Sequence, residues 1–190
     1  SPLIESFYDT VDLMIIAGSR LRGHETRDMT VNLPARRVQI DADPMANGRT
    51  YESEMFICAD AALTLDGLAD RLPGRLSIET GYGAEITKLK ADATADYLKI
   101  VGPYADMPEI LRKAMPKDCV FVRDITLNNS TWGNRLFTLF GPRDSVYPIG
   151  AAIGPGSALG IGAAIGVGKG RKAVTMCGDG GFNLGIAELP

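Results

Sequence analysis

The chain has 190 residues, 45% of them hydrophobic and 23% charged, with a formal net charge of −3. This length allows one or two domains with a buried core. The absence of a basic surplus argues against a nucleic-acid partner. The three cysteines are far apart and form no CxxC pair, which argues against a disulfide framework or a zinc site. A reducing cytoplasm fits this pattern best.

The first part of the chain predicts strands that alternate with helices. Residues 11–19 form an apolar run that ends in a glycine turn, and residues 36–41 predict a second strand. Apolar residues at helical spacing over 59–72 predict a helix, which Pro73-Gly74 ends. Strands followed by helices are typical of α/β proteins with a parallel sheet.

A second α/β block follows a less regular segment. Residues 75–105 contain several glycines and a proline, and we interpret them as an interdomain linker with some helix near residues 91–100. Beyond it, the pattern predicts helices over 107–114 and 130–140, a small-residue helix within 148–167, another helix from Phe182, and strands over 120–125 and 172–177.

Residues 149–167 need a comparison with membrane helices. The segment has no charged residue over 19 positions, and its glycines recur at GxxxG spacing, as in some transmembrane helices. Its many glycines, Pro155 and a single leucine keep the hydropathy modest. We therefore expect a tightly packed helix of a soluble protein and no membrane partner.

The most distinctive loop is Gly178-Asp179-Gly180-Gly181, which directly follows the apolar run 173–177. Glycines let a backbone approach a phosphate oxygen closely, and an aspartate offers a divalent metal a hard oxygen ligand. The same tripeptide is also common as a tight turn between a strand and a helix. Both interpretations stand on this loop alone.

The wider pattern resembles the thiamine diphosphate enzymes of the acetolactate synthase and benzoylformate decarboxylase superfamily. The resemblance covers nearly the whole chain, in matching order and spacing. The segments that carry it are Ile15–Arg20, Gln39–Pro44, Cys58–Ala61, the glycine-rich run Ile153–Gly166, Arg171-Lys172, Met176–Phe182 and Glu188-Leu189.

This resemblance implies a fold class and domain limits. The fold class is α/β, with two incomplete parallel-sheet, three-layer domains. Residues 1–74 match the second half of a Rossmann-like central domain, 75–105 a linker, and 106–190 the N-terminal half of the thiamine diphosphate-binding domain.

The resemblance also assigns roles by position. Asp179 would ligate Mg²⁺, and Gly178, Gly180 and Gly181 would bring N–H groups to the phosphates. Ile153 would support the cofactor from below in a bent shape, where many relatives have Met; the alternative for Ile153 is plain core packing. Ala151 would offer its carbonyl to the aminopyrimidine, at a position that is often glycine.

Four further residues would place polar groups on the diphosphate: Asn128, Asn129, Ser130 and Thr131. Asn and Ser also suit the start of a helix, and the two roles are compatible.

The activity that the resemblance implies is decarboxylation or carboligation of a 2-oxo acid by a homodimer or homotetramer, as a lyase or transferase. In such enzymes a glutamate from the N-terminal domain activates the cofactor, and an asparagine closes the metal motif. We match neither within these 190 residues. We therefore expect no catalytic residue here, and inactivity of the chain by itself.

The central-domain match leaves FAD as an open question. Arg20, Asp41 and Asp43 lie at predicted strand ends, where flavin-containing relatives bind FAD, but they could equally bond loop backbone. His24, the only histidine, lies in a polar loop and is expected at the surface. The alternative for the whole chain is a nucleotide- or dinucleotide-binding α/β module without chemistry of its own.

Overall fold

The computed structural model describes residues 1–189 of the chain, without the side chain of His24. The prediction for His24 therefore lies outside the described part. The chain folds into two compact units, Ser1–Ala93 and a second that begins at Thr94. Their boundary falls within a 20-residue helix, Tyr82–Val101, inside the segment predicted as a linker. The predicted division into domains 1–74 and 106–190 stays a prediction.

The first unit has a three-stranded parallel sheet in the order β1-β2-β3. Its strands are β1 (Met14–Ala17), β2 (Arg37–Asp41) and β3 (Met55–Cys58), and its helices are α1 (Pro2–Tyr8), α2 (Ala61–Arg71) and the first part of α3 (Tyr82–Val101). Two single 3₁₀ turns cover Gly23–Glu25 and Pro44–Ala46. The predicted strands and helix of this unit are confirmed; β3 was not predicted.

Local chemistry sets the limits of α2. The Asp60 side chain accepts a hydrogen bond from the Leu63 N–H at 2.9 Å, which satisfies a donor of the first turn. Gly74 has φ +77°, in the left-handed region that glycine enters without steric cost. The Pro73-Gly74 pair therefore ends the helix as predicted.

The second unit has its own three-stranded parallel sheet, in the order β5-β4-β6. The strands are β4 (Val120–Arg123), β5 (Ser145–Val146) and β6 (Ala173–Met176), and the helices are the last part of α3, α4 (Met107–Ala114), α5 (Gly156–Val167) and α6 (Asp179–Leu184). Short 3₁₀ turns cover Gly102–Tyr104, Gly168–Gly170 and Ile186–Glu188.

The core of the second unit is aromatic. The rings of Phe121 and Phe137 lie 4.3 Å apart, and Trp132, 1% exposed, packs against Phe137. Val101, Met115 and Cys119 complete the buried cluster. Trp132 is thus part of the core.

The predicted helix over 130–140 is wrong. Only one π-helical turn forms, at Asn129–Gly133. Arg123, 4% exposed, donates to the Gly133 carbonyl at 2.7 Å, so that carbonyl is bonded across the fold and not along a helix. The N–H groups of Arg135, Leu136 and Phe137 all donate to the Trp132 carbonyl, which turns the chain out of the helical path.

The predicted fold class is confirmed, because each unit combines a parallel sheet with helices. The predicted small-residue helix forms as α5 and has 12 residues. Across residues 1–189, no helix is long and apolar enough to cross a membrane.

Candidate functional site

The carboxyl ends of β4 and β6 lie side by side, because the two strands pair in parallel from Val120↔Ala173 to Arg123↔Met176. The loops that follow them approach closely. A Cβ at Gly178 would lie 3.3 Å from Cγ2 of Thr126. In open parallel sheets this edge is where ligands bind.

A cleft of about 350 Å³ opens at this edge. It brings together six of the ten residues predicted for the cofactor and metal: Asn128, Ile153, Gly178, Asp179, Gly180 and Gly181. They come from three segments far apart in sequence. The other lining residues were not predicted: Tyr104, Ile125, Thr126, Leu127 and Cys177. Nothing in the sequence pattern distinguishes those five from ordinary loop or strand residues.

The remaining four predicted residues lie near the cleft but do not line it. Asn129 is 1% exposed, and Ser130 is exposed. The Thr131 hydroxyl donates to the Leu127 carbonyl at 2.7 Å. Ala151 is exposed and has φ +58°, a conformation that favours glycine. That backbone agrees with the glycine expected at this position by resemblance.

The two asparagines after β4 differ in their hydrogen bonding. Asn128 accepts a bond from the Trp132 indole N–H at 3.2 Å, which ties the cleft wall to the core. The Oδ1 atom of Asn129 is buried and has no hydrogen-bond partner within residues 1–189. A buried unsatisfied amide oxygen is costly, and such atoms often mark functional sites.

The glycine loop suits an anion with its metal. Asp179 is exposed at the first position of α6, and the N–H groups of Gly180 and Gly181 lie in the first helical turn, where no intrahelical acceptor exists. A Cβ at Gly180 would meet open space. No cluster of three or more His, Cys, Asp or Glu side chains suited to a metal occurs in the described part of the chain. One carboxylate suits Mg²⁺, which takes its other ligands from phosphates and water.

Asp124 is the site residue that sequence reasoning missed. It directly follows β4 and is 0% exposed. Its carboxylate accepts N–H groups from Ile125 at 2.8 Å and from Gly154 at 3.0 and 3.1 Å. The only signal in the sequence was an acidic residue at a predicted strand, since its partners lie far along the chain.

Cys177 lines the cleft beside the glycine loop. Burial raises the pKa of its thiol, the Ser157 hydroxyl at 3.9 Å opposes that rise, and the charge of Asp124 adds to it. Only a thiolate is strongly nucleophilic. Cys177 therefore contributes bulk to the cleft wall at neutral pH, and not a nucleophile.

In the first unit, the residues considered for FAD bond to one another and to loop backbone. Arg20 pairs with Asp43 at 3.3 Å. Asp41 accepts the Asp43 N–H at 2.9 Å, and Asp43 accepts the Met45 N–H at 3.0 Å. These contacts agree with the loop-bonding interpretation, and the flavin interpretation stays untested.

No family model matches the chain, whereas a curated protein and solved structures similar to it were found. The chain is 27% identical over 179 residues to a probable 2-ketoarginine decarboxylase of Pseudomonas aeruginosa, covering 94% of this chain and 32% of that protein. It superposes on a thiamine diphosphate-dependent 4-hydroxybenzoylformate decarboxylase of Rhodococcus jostii RHA1 with a TM-score of 0.61 and 19% identity, covering 92% of this chain and 32% of that one. The predicted resemblance to thiamine diphosphate-dependent enzymes is confirmed.

The second match concerns the fold, since 19% identity carries little beyond it. The chain spans about one third of the length of both relatives, at 32% in each case.

Proposed function

We propose that this chain is the part of a thiamine diphosphate- and Mg²⁺-dependent enzyme that anchors the cofactor's diphosphate, and that the whole protein decarboxylates a 2-oxo acid. The observation that supports it is the cleft, where Asn128, Ile153 and the Gly178–Gly181 loop meet at one sheet edge. The names of both relatives, decarboxylases of 2-ketoarginine and of 4-hydroxybenzoylformate, favour a lyase. Carboligation, a transferase outcome, is the finer alternative.

Each residue has a stated task in this proposal. Asp179 binds Mg²⁺, the backbone of Gly178, Gly180 and Gly181 binds phosphate oxygens, and Ile153 supports the cofactor rings. Thiamine diphosphate, when bound, accepts the electron pair that is released when CO₂ leaves a 2-oxo acid.

The polar groups after β4 and the backbone of Ala151 complete the proposed anchor. Asn128, Asn129, Ser130 and Thr131 bind the diphosphate through N–H and O–H donors, because a phosphate oxygen accepts hydrogen bonds. Catalysis needs further groups, and we place the activating glutamate and the closing asparagine elsewhere in the whole protein. We propose a cytoplasmic homodimer or homotetramer.

The test is the variant Asp179→Ala in the full-length protein, with thiamine diphosphate affinity measured by calorimetry at saturating Mg²⁺. Even an outer-shell partner of a metal is worth 10- to 100-fold in affinity, so removal of a direct ligand should weaken binding at least about 100-fold. The matched control is Asp118→Ala, an exposed carboxylate just before β4, at the opposite edge of the sheet. Unchanged affinity in Asp179→Ala would contradict the proposal.

The alternative is a nucleotide-binding module without chemistry. It predicts that the full-length protein binds NAD or ATP and shows no Mg²⁺-dependent affinity for thiamine diphosphate, so parallel titrations separate the two. FAD on the first unit stays a prediction, and the visible absorption spectrum of the purified full-length protein tests it.

A further inference from the structure

Asp124 is a buried carboxylate between two segments of the cleft that are remote in sequence. It is 0% exposed, and the contacts described above are bonds from backbone N–H groups. A charge-assisted bond of this kind is about twice as strong as a neutral one. A carboxylate in this position fixes the backbone that it bonds.

The first segment that Asp124 fixes carries Ile153. Both carboxylate oxygens accept the Gly154 N–H, at 3.1 and 3.0 Å. Gly154 has φ +113°, which other residues rarely adopt, so this turn is set by glycine and by Asp124 together. Ile153 directly precedes the turn, lines the cleft and is 58% exposed.

The second segment is the first turn of α6, which contains Gly181. A Cβ at Gly181 would lie 2.3 Å from Oδ2 of Asp124 and 3.4 Å from Cγ2 of Ile153. The Gly181 backbone therefore lies directly against the carboxylate, with Ile153 beside it. On the other side, a Cβ at Gly156 would lie 2.6 Å from the Asp124 Cβ. Glycine is required at these positions because Asp124 fills the space.

We propose that Asp124 is a positioning residue for the cofactor, holding the Ile153 turn and the Gly178–Gly181 loop in one fixed relation. The segment under the cofactor rings and the segment at its phosphates are then set by the same side chain. This inference rests on the proposed function, since it concerns the same cleft. Asp124 touches neither phosphate nor metal in this assignment and acts only through the two backbones.

The first experiment compares Asp124→Asn with a control in the full-length protein. An amide has only one acceptor oxygen. In Asp124→Asn an NH₂ group therefore replaces one of the two oxygens that accept the Gly154 N–H, and two donors face each other. We expect the dissociation constant of thiamine diphosphate, measured by calorimetry at saturating Mg²⁺, to rise about 10- to 100-fold.

The matched control is Asp144→Asn. Asp144 is also buried, at 8% exposed, and pairs with Arg171 at 2.6 Å, but it precedes β5 and so lies at the opposite edge of the sheet. It should lower the unfolding temperature of the apoprotein and leave cofactor affinity within about twofold, because distant sites act independently. A purely structural role for Asp124 predicts the same behaviour for Asp124→Asn, and that result would overturn the proposal.

The second experiment is a double-mutant cycle that needs no assumption about Asp124→Asn. Gly181→Ala should weaken cofactor binding at least about tenfold, because the new Cβ meets the Asp124 carboxylate. In an Asp124→Ala background that space is empty, so Gly181→Ala should add less than about threefold. If Gly181→Ala weakened cofactor binding by the same factor in both backgrounds, positions 124 and 181 would act independently, and the proposal would be wrong.

The two proposals fail separately. If the unmodified full-length protein does not bind thiamine diphosphate, the proposed function is wrong. If it binds, and Asp124→Asn binds equally well, only the role of Asp124 is wrong.

Discussion

Two aspartates at one sheet edge have opposite environments, and that difference assigns their roles. Asp179 is exposed at the mouth of the cleft, whereas Asp124 is fully buried behind it. An exposed carboxylate keeps lone pairs for a metal and its water ligands. The buried Asp124 carboxylate accepts backbone N–H groups with both of its oxygens, so it orders the backbone instead.

The reactivity of the three cysteines tests how strongly the cleft wall around Cys177 is buried. Cys58 is exposed, Cys119 is buried, and Cys177 is intermediate, with its pKa raised by burial. Since the thiolate is the reacting form, Cys177 should need a more alkaline solution than an ordinary thiol with a pKa of about 8.5. We expect iodoacetamide to modify Cys58 first, and Cys177 only as the pH rises past that value. Peptide mass spectrometry of the native full-length protein, taken across pH, follows each site; equal rates at Cys58 and Cys177 at neutral pH would contradict it.

At the residue scale, the sequence predicted those site residues that are consecutive in the chain. The glycine loop was predictable because strand, glycine and aspartate are consecutive in the chain. The role of Asp124 was not, because its partners Gly154 and Gly181 are brought to it only by the sheet and α5. The lining residues Tyr104 and Leu127 were missed for the same reason.

At the element scale, α5 owes its position to glycine rather than to large side chains. A Cβ at Gly160 would lie 2.1 Å from Oγ1 of Thr175 and 3.2 Å from both its Cβ and Cγ2. The α5 backbone thus lies directly against the Thr175 side chain of β6, which leaves no room for a side chain at position 160. Because β6 leads into the glycine loop, this close contact helps to fix the base of the cleft.

Two glycine-to-alanine substitutions in α5 separate the effect of a clash with β6 from the effect of helix propensity. Gly160→Ala should lower the free energy of unfolding by about 1–3 kcal/mol, because the new Cβ would overlap Oγ1 of Thr175, whose β-branched side chain has few alternative rotamers. Gly162→Ala is the matched control two residues on, where a Cβ meets open space. It should be neutral or stabilise by up to about 1 kcal/mol through helix propensity.

Urea unfolding of the two full-length variants measures both effects. A Gly160→Ala protein as stable as the Gly162→Ala protein would show that α5 does not lie this close to β6.

Strands and helices with a strong local signal were predicted, and those set by tertiary contacts were not. The helix α4 has the limits expected from its sequence pattern. β5 has only two residues and is defined by its pairing with β4, which no local pattern reveals. The helix expected over 130–140 was lost to Arg123, whose buried guanidinium takes the Gly133 carbonyl. Burial lowers the pKa of this guanidinium.

At the scale of the whole molecule, the two units have different expected relations to the cofactor. The proposed anchor lies entirely in the second unit, on the segments that follow β4, β5 and β6. The strand-end residues of the first unit, Arg20, Asp41 and Asp43, are the ones considered for FAD. Ligand binding should therefore stabilise the units unequally.

Hydrogen–deuterium exchange of the full-length protein, with and without thiamine diphosphate and Mg²⁺, tests this asymmetry. A ligand at 100 times its dissociation constant stabilises the form that binds it by about 2.7 kcal/mol. Amide exchange that requires local unfolding of the binding site, with release of the ligand, becomes correspondingly slower. We expect protection in peptides that cover 124–131 and 177–184, and none in peptides that cover 14–20 and 39–46. Addition of FAD in a separate experiment should protect the latter pair only if the flavin interpretation is right. If thiamine diphosphate slowed exchange only in the first unit, the proposed anchor would be wrong. The segments after β4, β5 and β6 could then not be the ones that bind the cofactor.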